Sequence, residues 1–262
     1  MTSLLKDASS DPKEDETSPT TELFSASATQ VQILDEVPSR RTFFKTTIGG
    51  AVASLVTVTG IECVAPRRVM AQTALTPDAA LQELMDGNRR FSTGSLTSFE
   101  HDLAILRQHT VDKQEPFAAV LSCADSRVPV ELIFDQTVGQ IFVTRVAGNF
   151  AATEIIASLE YGAVVLGTKV IVVLAHSNCG AVKATIQAKD VPGQISSLFA
   201  YIRPAVDQAG PNIEAASKAN AKIQAALLRQ ASTVISALVK ENKVKVVAAY
   251  YDLATGGVSL LE

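Results

Sequence analysis

From Thr76 onward the hydrophobic positions switch repeatedly between a helical and a continuous pattern. Leu81, Leu84 and Met85 recur on one helical face, and Thr76 followed by Pro77 forms a start signal, a capping side chain and then a proline suited to the first turn. A second helix is expected from Phe99 to His109. "PFAAVLSC" from Pro116 and "GQIFVTR" from Gly139 are short apolar runs, which predict buried strands, with a helical turn at "PVELIFD" between them. "ATEIIASLEYGAVVLG" returns to helical spacing, with Ile155, Leu159 and Val165 expected in the core. "KVIVVLAH" is almost uninterrupted and β-branched, the pattern of a strand buried on both faces, and "CGAVKATIQA" starts a helix directly after it. One long helix from about Ala215 to Lys240 follows, then a strand at "VKVVAAYYDL", a turn at Thr255 to Gly257 and a last short strand at "VSLLE". The expected fold class is α/β, a central, mostly parallel β-sheet flanked by helices, with an N-terminal helical arm that either packs on the domain or reaches a partner subunit.

The chain ahead of Thr76 has a different character. Residues 1–38 are rich in Ser, Thr, Asp and Glu without apolar periodicity and read as a disordered leader. "SRRTFFK" then precedes "TTIGGAVASLVTVTGI", which is too short and too rich in Thr and Gly to read as a membrane span. The order of parts resembles a twin-arginine (Tat) export signal, with Arg40 and Arg41 as the pair, Phe43 and Phe44 at the apolar positions, and small residues at "VMAQ" placing cleavage after Ala71. The expected division is a leader and signal segment over residues 1–71 and a catalytic domain over 72–262. The resemblance implies transient contact with the Tat machinery and delivery to a periplasm, or to a thylakoid lumen in a photosynthetic source.

Composition narrows the functional classes. A chain of 262 residues, 47% hydrophobic, can bury a substantial core. A net charge of −4 with both signs interspersed offers no basic face for phosphates, so nucleic acid is excluded as an expected partner. Of three cysteines, Cys63 would leave with the signal, so the mature chain keeps Cys123 and Cys179.

Those two thiols carry the chemistry. Cys123 opens "CADSRVP" and Cys179 lies in "HSNCGAV", three residues after His176. Both loops leave the carboxyl end of an expected strand, the edge where ligands gather in open α/β sheets, so they can meet in space. Two thiolates and an imidazole form a soft N/S set that favours Zn2+, one per subunit. Three protein ligands leave one coordination position for water, whose pKa falls toward about 7, which yields a zinc-bound hydroxide at neutral pH. Asp125 and Arg127 stand at alternate positions of the same loop, where they can pair. Held by Arg127, Asp125 can orient the hydroxide; swung onto the metal, it would close the site.

"CADSRVP", "RVAGN", "LEYGAVVLGTK" and "HSNCGAV" together resemble the β-class carbonic anhydrases, over roughly Thr76 to the C-terminus. The resemblance implies metal ligation by Cys123, His176 and Cys179, a catalytic dyad of Asp125 and Arg127, and reversible hydration of CO2 to bicarbonate and a proton. It further implies that Gln114 reaches a neighbouring subunit's site and that Phe142, Ala147 and Tyr161 line a narrow CO2 pocket. The Gly180 amide, at a helix N-terminus beside a ligand, is expected to donate to substrate oxygen. A homodimer, or a higher even homo-oligomer, is the implied assembly, with the N-terminal helices around the partner.

Other readings of the same residues stay open at this level. Cys123 alone would be an inert buried hydrophobe, Asp125 and Arg127 an ordinary loop ion pair, Phe142 and Tyr161 plain core residues, and Gln114 a solvated loop residue. Among functions, a CS2 or COS hydrolase would use the same centre on a different electrophile. A thiol redox protein would instead join Cys123 and Cys179 reversibly, though they do not form a C-x-x-C pair.

Overall fold

The computed structural model describes residues 73–98 and 110–262. The arginine pair, the apolar stretch after it and the expected helix over 99–109 lie outside the described residues. Helix α1 spans Pro77–Ser92, and Thr76 caps it by accepting from the Ala79 amide. In order there follow β1 (Ala118–Ser122), α2 (Val130–Ile133), β2 (Ile141–Arg145), α3 (Thr153–Val164), β3 (Val170–His176), α4 (Gly180–Gln187), α5 (Phe199–Ala209), α6 (Ile213–Ala231), α7 (Thr233–Lys240), β4 (Lys245–Tyr251) and β5 (Val258–Leu261). No helix among the described residues is long and apolar enough to cross a membrane.

The five strands form one sheet in the order β2-β1-β3-β4-β5. The pairs β1 with β2, β1 with β3 and β3 with β4 are parallel, and β5 alone runs antiparallel against β4. Every residue of β1 and β3 is buried, as their unbroken apolar runs require of strands covered on both faces. Alternation divides those residues between two cores. Ala118, Val120, Val170, Val172 and Leu174 pack toward α1, while Ala119, Leu121, Ile171, Val173 and Ala175 pack toward α3, α6 and α7. At about 25 cal/mol per Å2 of apolar area removed from water, such two-sided burial drives the fold.

Two sequence expectations change, and for α1 one of two open alternatives is met. The expected long helix breaks at Ser232, which has extended backbone and caps α7 by accepting from the Ile235 amide at 2.9 Å while donating to Glu160 at 2.6 Å. Its small hydroxyl offers the backbone a local alternative to helical bonding. Val165, expected in the core, stands at the end of α3 and is 38% exposed, whereas Leu159 is fully buried. Helix α1 packs on its own chain: Ala80, Leu81 and Leu84 enter the core. Buried Asn88 fastens it further, donating to the carbonyls of Ile133 and Gly256 and accepting from the Val258 amide. Gly87 permits the approach, since a Cβ there would lie 1.8 Å from the Phe134 carbonyl oxygen.

Candidate metal centre

Cys123 follows the last residue of β1, His176 ends β3, and Cys179 caps α4. Because β1 and β3 are neighbours in register, Ser122 opposite Leu174, the two motif loops leave the same sheet edge side by side. The two Sγ atoms and a nitrogen of His176 lie within 4.8 Å of one another, and all three residues are buried. Tetrahedral bonds of about 2.0 to 2.3 Å set ligand atoms roughly 3.5 Å apart, so a shift of about an ångström brings the trio onto one Zn2+.

The surroundings of the trio fit a cation. Nδ1 of His176 lies 2.9 Å from the Ser177 carbonyl, where it donates, and this leaves Nε2 as the acceptor. Nε2 is buried and has no hydrogen-bond partner. An orphaned acceptor inside a protein is costly unless something electropositive meets it. The thiols repeat the point. A hydrogen bond from Cys179, with another from the Gly148 amide, holds Cys123 well below the usual thiol range, while the same contact and burial push Cys179 up. One buried thiolate thus opposes a second, and a divalent cation removes the conflict. Both cysteines are free thiols.

Asp125 faces the trio, with Oδ2 3.9 Å from Nε2 of His176. Arg127 grips it. Its amide and Nε each donate to Oδ1 at 2.9 Å, Nη2 donates to Oδ2 at 2.8 Å, and Nη2 also reaches the Asn178 carbonyl at 3.2 Å. The pairing arises from a turn, closed by the Val128 amide on the Asp125 carbonyl, rather than from the alternation of an extended loop. These bonds hold the Asp125 carboxyl well below the usual carboxylate range. Two donors use both lone pairs of Oδ1, whereas Oδ2 accepts one bond from Arg127 and keeps a lone pair for the site.

Arg145, the last residue of β2, escaped the sequence reading. Its Nε donates to the Cys123 carbonyl at 3.0 Å and its Nη2 to the Asp125 carbonyl at 2.5 Å. It stands inside the quoted "RVAGN", but acceptors on the backbone leave no trace in side-chain patterns. Ala147 lies beside Gly148, whose amide donates to Sγ of Cys123 at 3.2 Å. Gly180 opens α4 and is exposed, and a Cβ there would meet nothing within 4 Å.

Phe142, Tyr161 and Gln114 gather elsewhere. Phe142 pairs with Ala119, four residues before Cys123, which is about 13 Å down the strand at 3.3 Å per residue. Its ring lies 6.2 Å from that of Tyr161. Tyr161 and Gln114 share a surface cleft of about 610 Å3 with Lys113, Val165 and Leu166.

A parallel α/β sheet that brings two thiols and an imidazole to its carboxyl edge, with a restrained carboxylate beside them, defines a zinc enzyme with an open three-ligand site. The family model described as carbonic anhydrase matches residues 118–258. A carbonic anhydrase of Mycolicibacterium smegmatis is 36% identical over 195 residues, which are 70% of this chain and 93% of that one. Carbonic anhydrase 2 of Mycobacterium tuberculosis is 38% identical over 144 residues, 52% of this chain and 64% of that one. Among solved structures, the β-carbonic anhydrase CcaA superposes with a TM-score of 0.55 at 25% identity, covering 70% of this chain and 87% of that one. The chain belongs to the carbonic anhydrase family, in its β class.

Proposed function

We propose that the reversible hydration of CO2 to bicarbonate and a proton, the reaction of this zinc enzyme, is carried out at the Cys123, His176 and Cys179 centre with Asp125 as the carboxylate that orients the attacking water. The observation that carries the assignment is the lone pair left on Oδ2 of Asp125, 3.9 Å from the imidazole nitrogen that would bind metal. Bound zinc would supply the Lewis acidity that makes water a nucleophile near neutral pH. Oδ2 of Asp125 accepts a hydrogen bond from the attacking water and turns its lone pair toward carbon. Arg127 keeps the carboxylate ionised and away from the metal ligands. The Gly180 amide, open at the start of α4, donates to a CO2 oxygen as charge develops there, and the small Ala147 leaves room for the linear substrate.

Gln114, Phe142 and Tyr161 act, in this reading, on the site of a second copy. Their separation from the same chain's trio supports it, as does the apolar surface around them: Val111, Tyr161, Val164 and Val165 are 76%, 47%, 50% and 38% exposed. A homodimer, or a larger even assembly of such dimers, would cover that face. Export by the Tat route to a periplasm or thylakoid lumen is part of the same proposal, supported by the succession of arginine pair, apolar stretch and small residues in the sequence of 39–71.

Stopped-flow CO2 hydration with zinc measured on the same sample tests the core of the reading. Rapid hydration with about one zinc per chain is expected. Equal rates from a metal-free sample would sink it.

A further inference from the structure

Helix α6 carries two buried amides that the reaction does not touch. Asn220 and Gln224 are 0% and 2% exposed, one turn apart on a helix whose other buried positions are mostly alanine and leucine. Burying an amide without partners is costly, so their hydrogen bonds show what they are for. Asn220 Nδ2 donates to the Gly148 carbonyl at 2.8 Å. Gln224 Oε1 accepts from the Ala151 amide at 3.0 Å, and Gln224 Nε2 donates to the Tyr201 carbonyl and to Oδ1 of Asn220, each at 3.2 Å. Both side chains therefore converge on the loop after β2.

The first residue of that grip is the one that touches the metal centre. Gly148 donates its N–H to Sγ of Cys123 at 3.2 Å. Its φ of +90° lies in the region that favours glycine, and a Cβ would meet Cδ1 of Ile202 at 2.5 Å. With Ile202 of α5 against Gly148 and Asn220, 72 residues away in sequence, on its carbonyl, the backbone that aims the N–H is held by groups distant in the chain. An N–H aimed at a thiolate withdraws charge from sulfur, which tempers its donation to a metal and fixes its position.

We propose that Asn220, braced by Gln224, is a positioning residue for the metal centre, holding the Gly148 N–H on Sγ of Cys123. The proposal rests on the zinc reading of the trio and adds the residues that orient one of its ligands. It differs from a purely structural role, in which the amides satisfy buried backbone and the centre is indifferent to them.

The test compares the full chain with Asn220→Ala and with Leu228→Ala, a control that removes a fully buried side chain from the same helix and none of the hydrogen bonds to the loop. Each is loaded with zinc and challenged with a chelator, and each is loaded with Co2+ for its sulfur-to-metal charge-transfer band. Asn220→Ala is expected to release zinc about tenfold faster than the unaltered chain and to shift the band to lower energy, with Leu228→Ala unchanged in both. Unaltered release and spectrum in Asn220→Ala, with melting lowered as in the control, would overturn the proposal. Should the alanine chain fail to fold, Asn220→Ser, which keeps a donor on a shorter arm, is read in its place. Failure of that chain also assigns the residue to folding and overturns the proposal. If the unaltered chain itself binds no zinc, the reading of the trio fails instead.

Discussion

Oδ2 of Asp125 stands 3.9 Å from Nε2 of His176, close enough to serve a reaction at that nitrogen's metal yet turned aside by Arg127. Asp125→Ala is therefore expected to keep its zinc and lose turnover by about 100-fold, since it removes the hydrogen-bond acceptor that orients the attacking water and no ligand. Zinc content and stopped-flow hydration on one sample check this. Undiminished turnover would show that Asp125 is an ordinary loop carboxylate.

Cys179 caps α4 and supplies one of two sulfurs to the trio. Cys179→Ser replaces a soft ligand by a weakly acidic hydroxyl, so zinc and hydration are expected to disappear together. Metal analysis after dialysis decides; full activity in a metal-free Cys179→Ser chain would refute the mechanism.

The Asp135 carboxylate is buried at φ +47°, salt-bridged to Arg90 and hydrogen-bonded to the Thr97 amide and hydroxyl and the Ser98 amide. Burial alone would raise its pKa, but Arg90 and these donors outweigh burial and hold it well below the ordinary range. A group depressed in the folded state adds stability that is complete above its unfolded pKa of about 3.9 and drains away as pH falls through the folded value. Asp135→Asn is expected to cost about 2–3 kcal/mol at neutral pH and to flatten the acid limb of the melting curve. Identical pH dependence in variant and parent would remove Asp135 from that account.

Val164 is half exposed on α3 beside Tyr161. Val164→Asp places a charge in the face proposed to cover a second copy, and a monomer with reduced turnover is expected. Sedimentation of the two chains tests it, and an unchanged assembly would move the interface elsewhere.

Replacing Arg40 and Arg41 together by lysine is expected to hold the full chain in the cytoplasm of a bacterial host that exports the unaltered one. Equal periplasmic yields from both chains would discard the Tat proposal.

Much of this protein was legible from the order of its residues. Unbroken apolar runs require two-sided burial, so β1 and β3 and their parallel pairing follow from local pattern, as does the capped start of α1 at Thr76. The N/S character of the metal set is equally local, being a matter of ligand type and of loops that leave one sheet edge. Tertiary structure decided whatever depends on partners distant in the chain. Ser232 interrupts what reads as one helix, its hydroxyl capping the next helix locally while donating to Glu160 across the packing. Arg145 and Asn220 act on carbonyl groups, which every residue carries, so no side-chain pattern announces them. Phe142 and Tyr161 meet each other rather than their own chain's cysteines, because strand register, which sequence spacing does not reveal, sets them about 13 Å down the sheet.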